Sequence, residues 1–176
     1  MIDIYFALIF LTGILLQLLA GNFGLFLPVT VLLIFYAATA TGLFRGIVYS
    51  LIFGIIIDVF SGWGFPWHTF ACLGAALFAR FWCARQMLRP ALINFFPGMI
   101  AASLPLLVLL PQTIISGDWR FLLDTWLPQF VFGLIAGAIL LPVTVALLDH
   151  ISERLKLPRY QDARKQLEPG DNKWHR

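Results

Sequence analysis

Charged side chains are scarce in this chain. Only 12% of its 176 residues are Asp, Glu, Lys or Arg, whereas 60% are hydrophobic and the mean hydropathy is +0.88. A soluble domain has about a quarter charged residues and about half apolar ones. A soluble core of this size cannot hold such an apolar excess, so the composition predicts an integral membrane protein. It also excludes a nucleic-acid-binding protein, since no basic face with interleaved aromatic residues is evident.

Cysteines and catalytic motifs are equally sparse. The only two cysteines, Cys72 and Cys83, lie in one apolar segment, about 16 Å apart if it is helical, which is beyond disulfide reach. We interpret them as packing residues and predict neither a metal site nor a cofactor. No HExxH, CxxC, GxSxG or glycine-rich phosphate loop occurs. We therefore identify no catalytic residue and expect a protein that is not an enzyme; an intramembrane enzyme has the least support.

Long apolar segments dominate what is present. Their length and composition predict an all-α protein with six transmembrane helices. We place these spans at about Ile4–Ala20, Leu25–Thr41, Gly46–Phe60, Thr69–Ala84, Leu92–Ser116 and Thr125–Leu148. The fifth contains Pro97, Pro105 and Pro111, which predict a kinked or broken helix, and a five-span chain is the main alternative. The predicted domains are a six-helix transmembrane domain, 1–148, and a basic cytoplasmic tail, 149–176.

Basic residues are distributed asymmetrically along the chain. Six spans put both termini on one side of the membrane. If that side is cytoplasmic, every Lys and Arg except Arg120 belongs to the cytoplasmic side. Positive residues accumulate on the cytoplasmic side of membrane proteins, so we predict cytoplasmic N- and C-termini. The tail is expected either to be solvated or to bind anionic lipid or a cytoplasmic protein.

Small residues recur every four positions in and around the third span. The row consists of Gly42, Gly46, Ser50, Gly54, Asp58 and Gly62. Residues at i and i+4 are neighbours on a helix, and small residues allow two membrane helices to approach closely. We predict that Gly46, Ser50, Gly54 and Gly62 form a packing ridge. Gly133-xxx-Gly137 in the last span is a second packing motif, and either set could pack within the chain or against a partner.

Asp58 is the only ionisable residue of that row. An aspartate in an apolar span is unfavourable unless it faces protein or water. In one interpretation it is a structural pin that accepts hydrogen bonds from Ser61 and Gly62 at the helix end. In that case Asp58→Asn should keep most of the function. In the other it is a charge-dependent ion or proton site, with His68 as a possible partner. We prefer the pin, because an Asp so close to a helix end is often a local acceptor.

The stretch from residue 46 to residue 80 resembles the rod shape-determining protein MreD family of the bacterial cell-elongation machinery. That family has a glycine-containing helix, an Asp-Leu-x-Ser-Gly motif and a following helix that begins near His or Arg. The matching residues here are Asp58, Ser61, Gly62 and His68. Pro66 departs from the usual glycine. The motif covers about a fifth of the chain; length, number of spans and the basic tail also fit.

This resemblance implies a non-enzymatic inner-membrane scaffold involved in cell-shape maintenance and lateral peptidoglycan synthesis. Its implied partners are membrane lipids and an MreC-like protein and, through it, the MreB filament, RodA and penicillin-binding protein 2. The implied fold is similar to the substrate-binding subunits of energy-coupling-factor transporters. That similarity supplies the alternative function, a membrane-embedded small-molecule-binding subunit of a transporter. Such a subunit needs several convergent polar groups, and the spans contain few.

Overall fold

A computed structural model describes residues 2–62, 65–85, 95–117 and 119–160, and all regular structure in these ranges is helical. The long helices are α1 (Ile2–Asn22), α2 (Val29–Thr41), α3 (Leu43–Ser61), α4 (Trp67–Arg85) and α5 (Phe95–Ser116). A short α6 (Trp119–Phe121) and a π-helical turn (Leu122–Trp126) then lead into α7 (Leu127–Arg154). Each of the six predicted spans therefore overlaps one long helix.

Several boundaries differ from the prediction. α2 begins at Val29 rather than Leu25, because the backbone before Pro28 disfavours the helical conformation. Pro105 and Pro111 lie inside α5 without ending it. Residues 119–124, which lie between the fifth and sixth predicted spans, are helical. The last helix continues to Arg154, beyond the end placed at Leu148 for the sixth span.

α2 occupies the centre of the bundle. All ten residues from 30 to 39 are buried, and the Tyr36 side chain is 0% exposed. α2 contacts α1, α3, α4, α5 and α7. Because α2 has no polar face, burial on all sides is its most favourable position. A single residue, Gly42 with φ +96°, joins α2 to α3, and L side chains rarely adopt that conformation.

Large apolar side chains cover the outward faces of the surrounding helices. Leu8 on α1, Ile55 on α3 and Ile139 on α7 are each more than half exposed. Within the residues that the structure describes, four helical runs are long and apolar enough to cross a membrane: Ile2–Asn22, Leu43–Ser61, Phe95–Ile115 and Trp119–Arg154. An apolar surface of this extent suits lipid rather than water. The chain is therefore an all-α, multi-pass membrane protein.

Candidate functional site

The small residues of α3 pack against α2 and α4 of the same chain. Gly46, Ser50 and Gly54 are buried. A Cβ atom on Gly46 would lie 2.9 Å from the Cα of Ala38, and one on Gly54 would lie 2.6 Å from the Cα of Thr69. Only glycine permits such a close approach of the backbones. The ridge is thus an internal packing surface, which answers the question that the sequence leaves open.

Ser50 adds a polar contact to this interface between α3 and α4. Its hydroxyl oxygen lies 2.7 Å from the Gly46 carbonyl oxygen of its own helix and 3.1 Å from the Cys72 carbonyl oxygen of α4. The hydroxyl has a single proton to donate, so the two acceptors share it. A hydroxyl buried in a helix interface normally finds such backbone acceptors, and here it ties α3 to α4.

Asp58 holds the beginning of α4. Its side chain is buried, and its Oδ1 accepts hydrogen bonds from the backbone N–H of His68 at 2.9 Å and from the His68 ring Nδ1 at 3.0 Å. Its Oδ2 accepts from the Thr69 N–H at 2.9 Å and the Thr69 hydroxyl at 2.7 Å. The first N–H groups of a helix have no partner within it. An acidic side chain there satisfies them and interacts favourably with the helix dipole.

Asp58 therefore acts as a pin between two helices, with partners other than the expected Ser61 and Gly62. Both of its oxygens face α4, while Ser61 is exposed at the end of α3. Gly62 adopts a left-handed conformation, φ +68°, and its N–H donates to the Val59 carbonyl at 3.3 Å. It is exposed and would meet no atom within 4 Å if it had a Cβ. Gly62 therefore ends the helix and takes no part in the close contacts that Gly46 and Gly54 make within the chain.

His68 is oriented by the same carboxylate. Donation from Nδ1 to Asp58 assigns the proton of a neutral ring to Nδ1 and leaves Nε2 as an acceptor. The His68 side chain is 12% exposed. The described residues contain no group of three or more His, Cys, Asp and Glu side chains that could hold a metal ion. The arrangement joins the end of α3 to the beginning of α4, because all four donors to Asp58 belong to α4.

The second glycine motif also packs within the chain. A Cβ atom on Gly137 would lie 3.0 Å from the carbonyl carbon of Gly98 on α5. One on Gly133 would lie 3.3 Å from the ring of Phe26, in the segment before α2. Gly133 and Gly137 thus allow α7 to lie against α5 and the α1–α2 connection. Their faces are occupied by this chain, leaving no room there for a partner helix.

A buried polar cluster at the other end of the bundle was not predicted. Asp149 of α7 accepts hydrogen bonds from the Tyr36 hydroxyl and from the backbone N–H of Tyr160, both at 2.8 Å. Ser152 lies 3.2 Å from the Tyr5 hydroxyl of α1. Sequence reasoning assigned Asp149 to the tail. One signal was available: Asp149 continues the four-residue spacing of the buried Leu141 and Val145, so it shares their face of the helix.

Comparison with known proteins found no matching family model, no similar curated protein and no similar solved structure.

Proposed function

We propose that this protein is a non-enzymatic scaffold of the cell-elongation machinery in the bacterial inner membrane, similar to MreD. The observation that carries the proposal is the contact of Asp58 with His68. These are two of the residues on which the resemblance rests, and their contact fixes the geometry between two helices. A motif used for helix geometry suits a protein that acts by presenting surfaces to partners.

The proposal includes six spans with both termini in the cytoplasm. Its support is the contact between the beginning of α1 and the end of α7, where the Tyr5 hydroxyl lies 3.2 Å from the Ser152 hydroxyl. This contact fits both termini at one end of the bundle, and the distribution of Lys and Arg favours the cytoplasm for that end. α2 has only 13 residues, about 20 Å of helix, and can reside at membrane depth because protein surrounds it.

The proposed partners are an MreC-like protein and, through it, the MreB filament, RodA and penicillin-binding protein 2. Since the small-residue surfaces of α3 and α7 are occupied internally, partner helices would contact the outward apolar faces. Leu8, Leu11 and Leu15 of α1 and Ile52 and Ile55 of α3 are exposed in this way. Lipid covers these faces where no partner does.

The alternative, a small-molecule-binding subunit of a transporter, has less support. A binding site of that kind needs a cavity with convergent polar groups. The centre of this bundle is filled by α2, whose side chains from residue 30 to residue 39 are buried against neighbouring helices.

The test is to express the protein in a rod-shaped bacterium depleted of its MreD, and to purify it from mild detergent with whatever remains bound. We expect rescue of rod shape and co-purification of wall-synthesis proteins. The matched controls are Gly54→Leu, which should abolish both by separating α3 from α4, and Gly21→Leu, at a position near the end of α1 where an added Cβ meets no atom within 4 Å, which should abolish neither. Recovery of an ATPase-containing transporter module would favour the alternative, and an inserted protein that gives neither rescue nor co-purification would contradict the scaffold.

A further inference from the structure

The segment that follows α7 folds back against the bundle. Lys156 has a left-handed backbone, φ +55°, and the N–H of Leu157 donates to the Ser152 carbonyl at 2.9 Å. This combination is a Schellman motif, which ends a helix and changes the direction of the chain. Tyr160 is then partly buried and packs against the hydrophobic core. Residues 155–160 therefore form a strap that returns to the bundle at Tyr160.

Asp149 of α7 holds the end of this strap. Its carboxylate is buried, and its Oδ1 accepts hydrogen bonds from the Tyr160 N–H and from the Tyr36 hydroxyl, both at 2.8 Å. A hydrogen bond to a buried carboxylate is stronger than one between two neutral groups. The strap also has an ion pair, Arg159 with Glu153 at 3.0 Å, but the Glu153 side chain is 65% exposed. Because water and salt screen such a pair, Asp149 supplies the stronger polar contact.

Asp149 binds the strap as Asp58 binds the beginning of α4. Each buried aspartate accepts a backbone N–H of the helical residue that comes next in its partner segment, His68 for Asp58 and Tyr160 for Asp149. The strap is much shorter than α4, and half of its residues are exposed: Leu155, Lys156 and Pro158. Segments with few buried contacts open locally at a low free-energy cost. The strap should therefore open more readily than the helices that it contacts.

Ser152 connects the strap to α1. It is 0% exposed, and its carbonyl accepts the Leu157 N–H while its hydroxyl lies 3.2 Å from the Tyr5 hydroxyl of α1. When the strap opens, the Leu157 bond is lost and the last turn of α7 is free to fray. Fraying moves Ser152 away from Tyr5. Among the described helices α1 contacts chiefly α2, so the loss of this contact with α7 should loosen the beginning of α1.

We propose that the strap is a conformational switch that couples the position of the tail to the packing of α1. In the closed state Asp149 holds Tyr160, and the intact end of α7 keeps Ser152 against Tyr5. In the open state the Tyr160 N–H has left Asp149 and the beginning of α1 is loosened. A pull on the tail at Tyr160 is thereby transmitted to α1. The switch depends on contacts within this chain and not on the identity of any partner.

The test compares Tyr160→Pro with Tyr160→Ala in the full chain, purified in neutral detergent. Both variants lose the tyrosine ring, but proline also lacks the N–H that Asp149 accepts. Residue 160 is helical and residue 159 is not, so the backbone suits a proline at 160. Proline also restricts the open chain, which by itself favours the closed state. Faster opening of the proline variant therefore reports the lost hydrogen bond. Hydrogen–deuterium exchange followed by mass spectrometry measures this opening.

We expect the N–H groups of residues 155–157 to exchange about tenfold faster in Tyr160→Pro than in Tyr160→Ala. The N–H groups of residues 6–10 in α1 should also exchange faster in the proline variant, and those of residues 50–57 in α3 should not change. Equal exchange of residues 155–157 in the two variants would show that Asp149 does not hold the strap. A faster strap with unchanged exchange in α1 would overturn the coupling. An equal rise in α3 would contradict a local switch, because the whole bundle would then be loosened.

Discussion

Asp58 Oδ1 accepts two hydrogen bonds from His68, one from the backbone N–H at 2.9 Å and one from the ring Nδ1 at 3.0 Å. The same contact therefore fixes both the first turn of α4 and the orientation of the imidazole. Gly54, one turn earlier on α3, makes this possible, because its missing side chain lets α3 lie against Thr69. The ridge and the aspartate act together, because the close packing of α3 against α4 brings the Asp58 carboxylate to the beginning of α4.

Replacing Asp58 by Asn should destabilise the protein. Each carboxylate oxygen accepts two hydrogen bonds, whereas an amide has one acceptor oxygen and one donor nitrogen. Donors to the replaced oxygen would lose their partner, at about 1–3 kcal/mol for each buried group. We expect the melting temperature in detergent to fall by about 4 °C or more, since each kcal/mol corresponds to about 2–4 °C in a chain of this size. This differs from the outcome expected of a pin that uses only Ser61 and Gly62, where the amide should suffice.

The control for that variant is Asp124→Asn, which changes an exposed carboxylate in the π-helical turn and should leave the melting temperature nearly unchanged. If Asp58→Asn has the same melting temperature as the unmodified chain, the four hydrogen bonds do not stabilise the interface. If it melts normally and yet loses rescue of cell shape, the charge of Asp58 has a role beyond structure.

Replacing Gly54 by Ala should also destabilise the protein, although alanine is the better helix former. A Cβ atom would lie 2.6 Å from the Thr69 Cα, so α3 and α4 would have to separate. Gly21 is the matched control, since it lies near the end of α1 with no atom within 4 Å of a Cβ there. Gly21→Ala should be neutral or stabilising by up to about 1 kcal/mol. Thermal unfolding of both variants checks the opposite signs, and a stabilised Gly54→Ala would contradict the close packing.

Hydropathy locates the helices of this protein but not their arrangement. Every long helix coincides with an apolar segment, because the membrane imposes both length and composition. The central position of α2 could not be predicted, since α1 is just as apolar and yet exposes Leu8, Leu11 and Leu15. Only the contacts of α2 with five other helices distinguish the two. The boundary at Val29 depends on the local effect of Pro28.

The sequence predicted those parts of the site that depend on the type and spacing of side chains. The four-residue spacing identified Gly46, Ser50 and Gly54, and His68 was one candidate partner of Asp58. Thr69 was missed because half of its contact is a backbone N–H, which every residue except proline possesses. Asp149 was missed because the tail was taken to begin there, although the residue is buried.

The hydroxyl of Tyr36 should stabilise the polar cluster at the end of α7. It is fully buried and donates to Asp149 at 2.8 Å. Tyr36→Phe removes a donor from a buried carboxylate, which should cost about 1–3 kcal/mol. Tyr5→Phe is the control, because that half-buried hydroxyl makes longer contacts, 3.2 Å to Ser152 and 3.5 Å to the Leu148 carbonyl. We expect Tyr36→Phe to lower the melting temperature more than Tyr5→Phe; the reverse order would contradict the role assigned to Tyr36.

The proposed six-span arrangement predicts which side of the membrane each end of the bundle faces. Asn22 at the end of α1 and Arg154 at the end of α7 are both exposed polar positions, and single cysteines there would report on opposite sides. With Cys83 replaced by Ala, background labelling should be low, because Cys72 is fully buried. A membrane-impermeant maleimide should label Asn22→Cys in intact spheroplasts and Arg154→Cys only after permeabilisation. A five-span chain with the same N-terminal orientation would expose Arg154→Cys in intact spheroplasts. That outcome would conflict with the contact of Tyr5 with Ser152, because one end of the bundle cannot lie on both sides of the membrane.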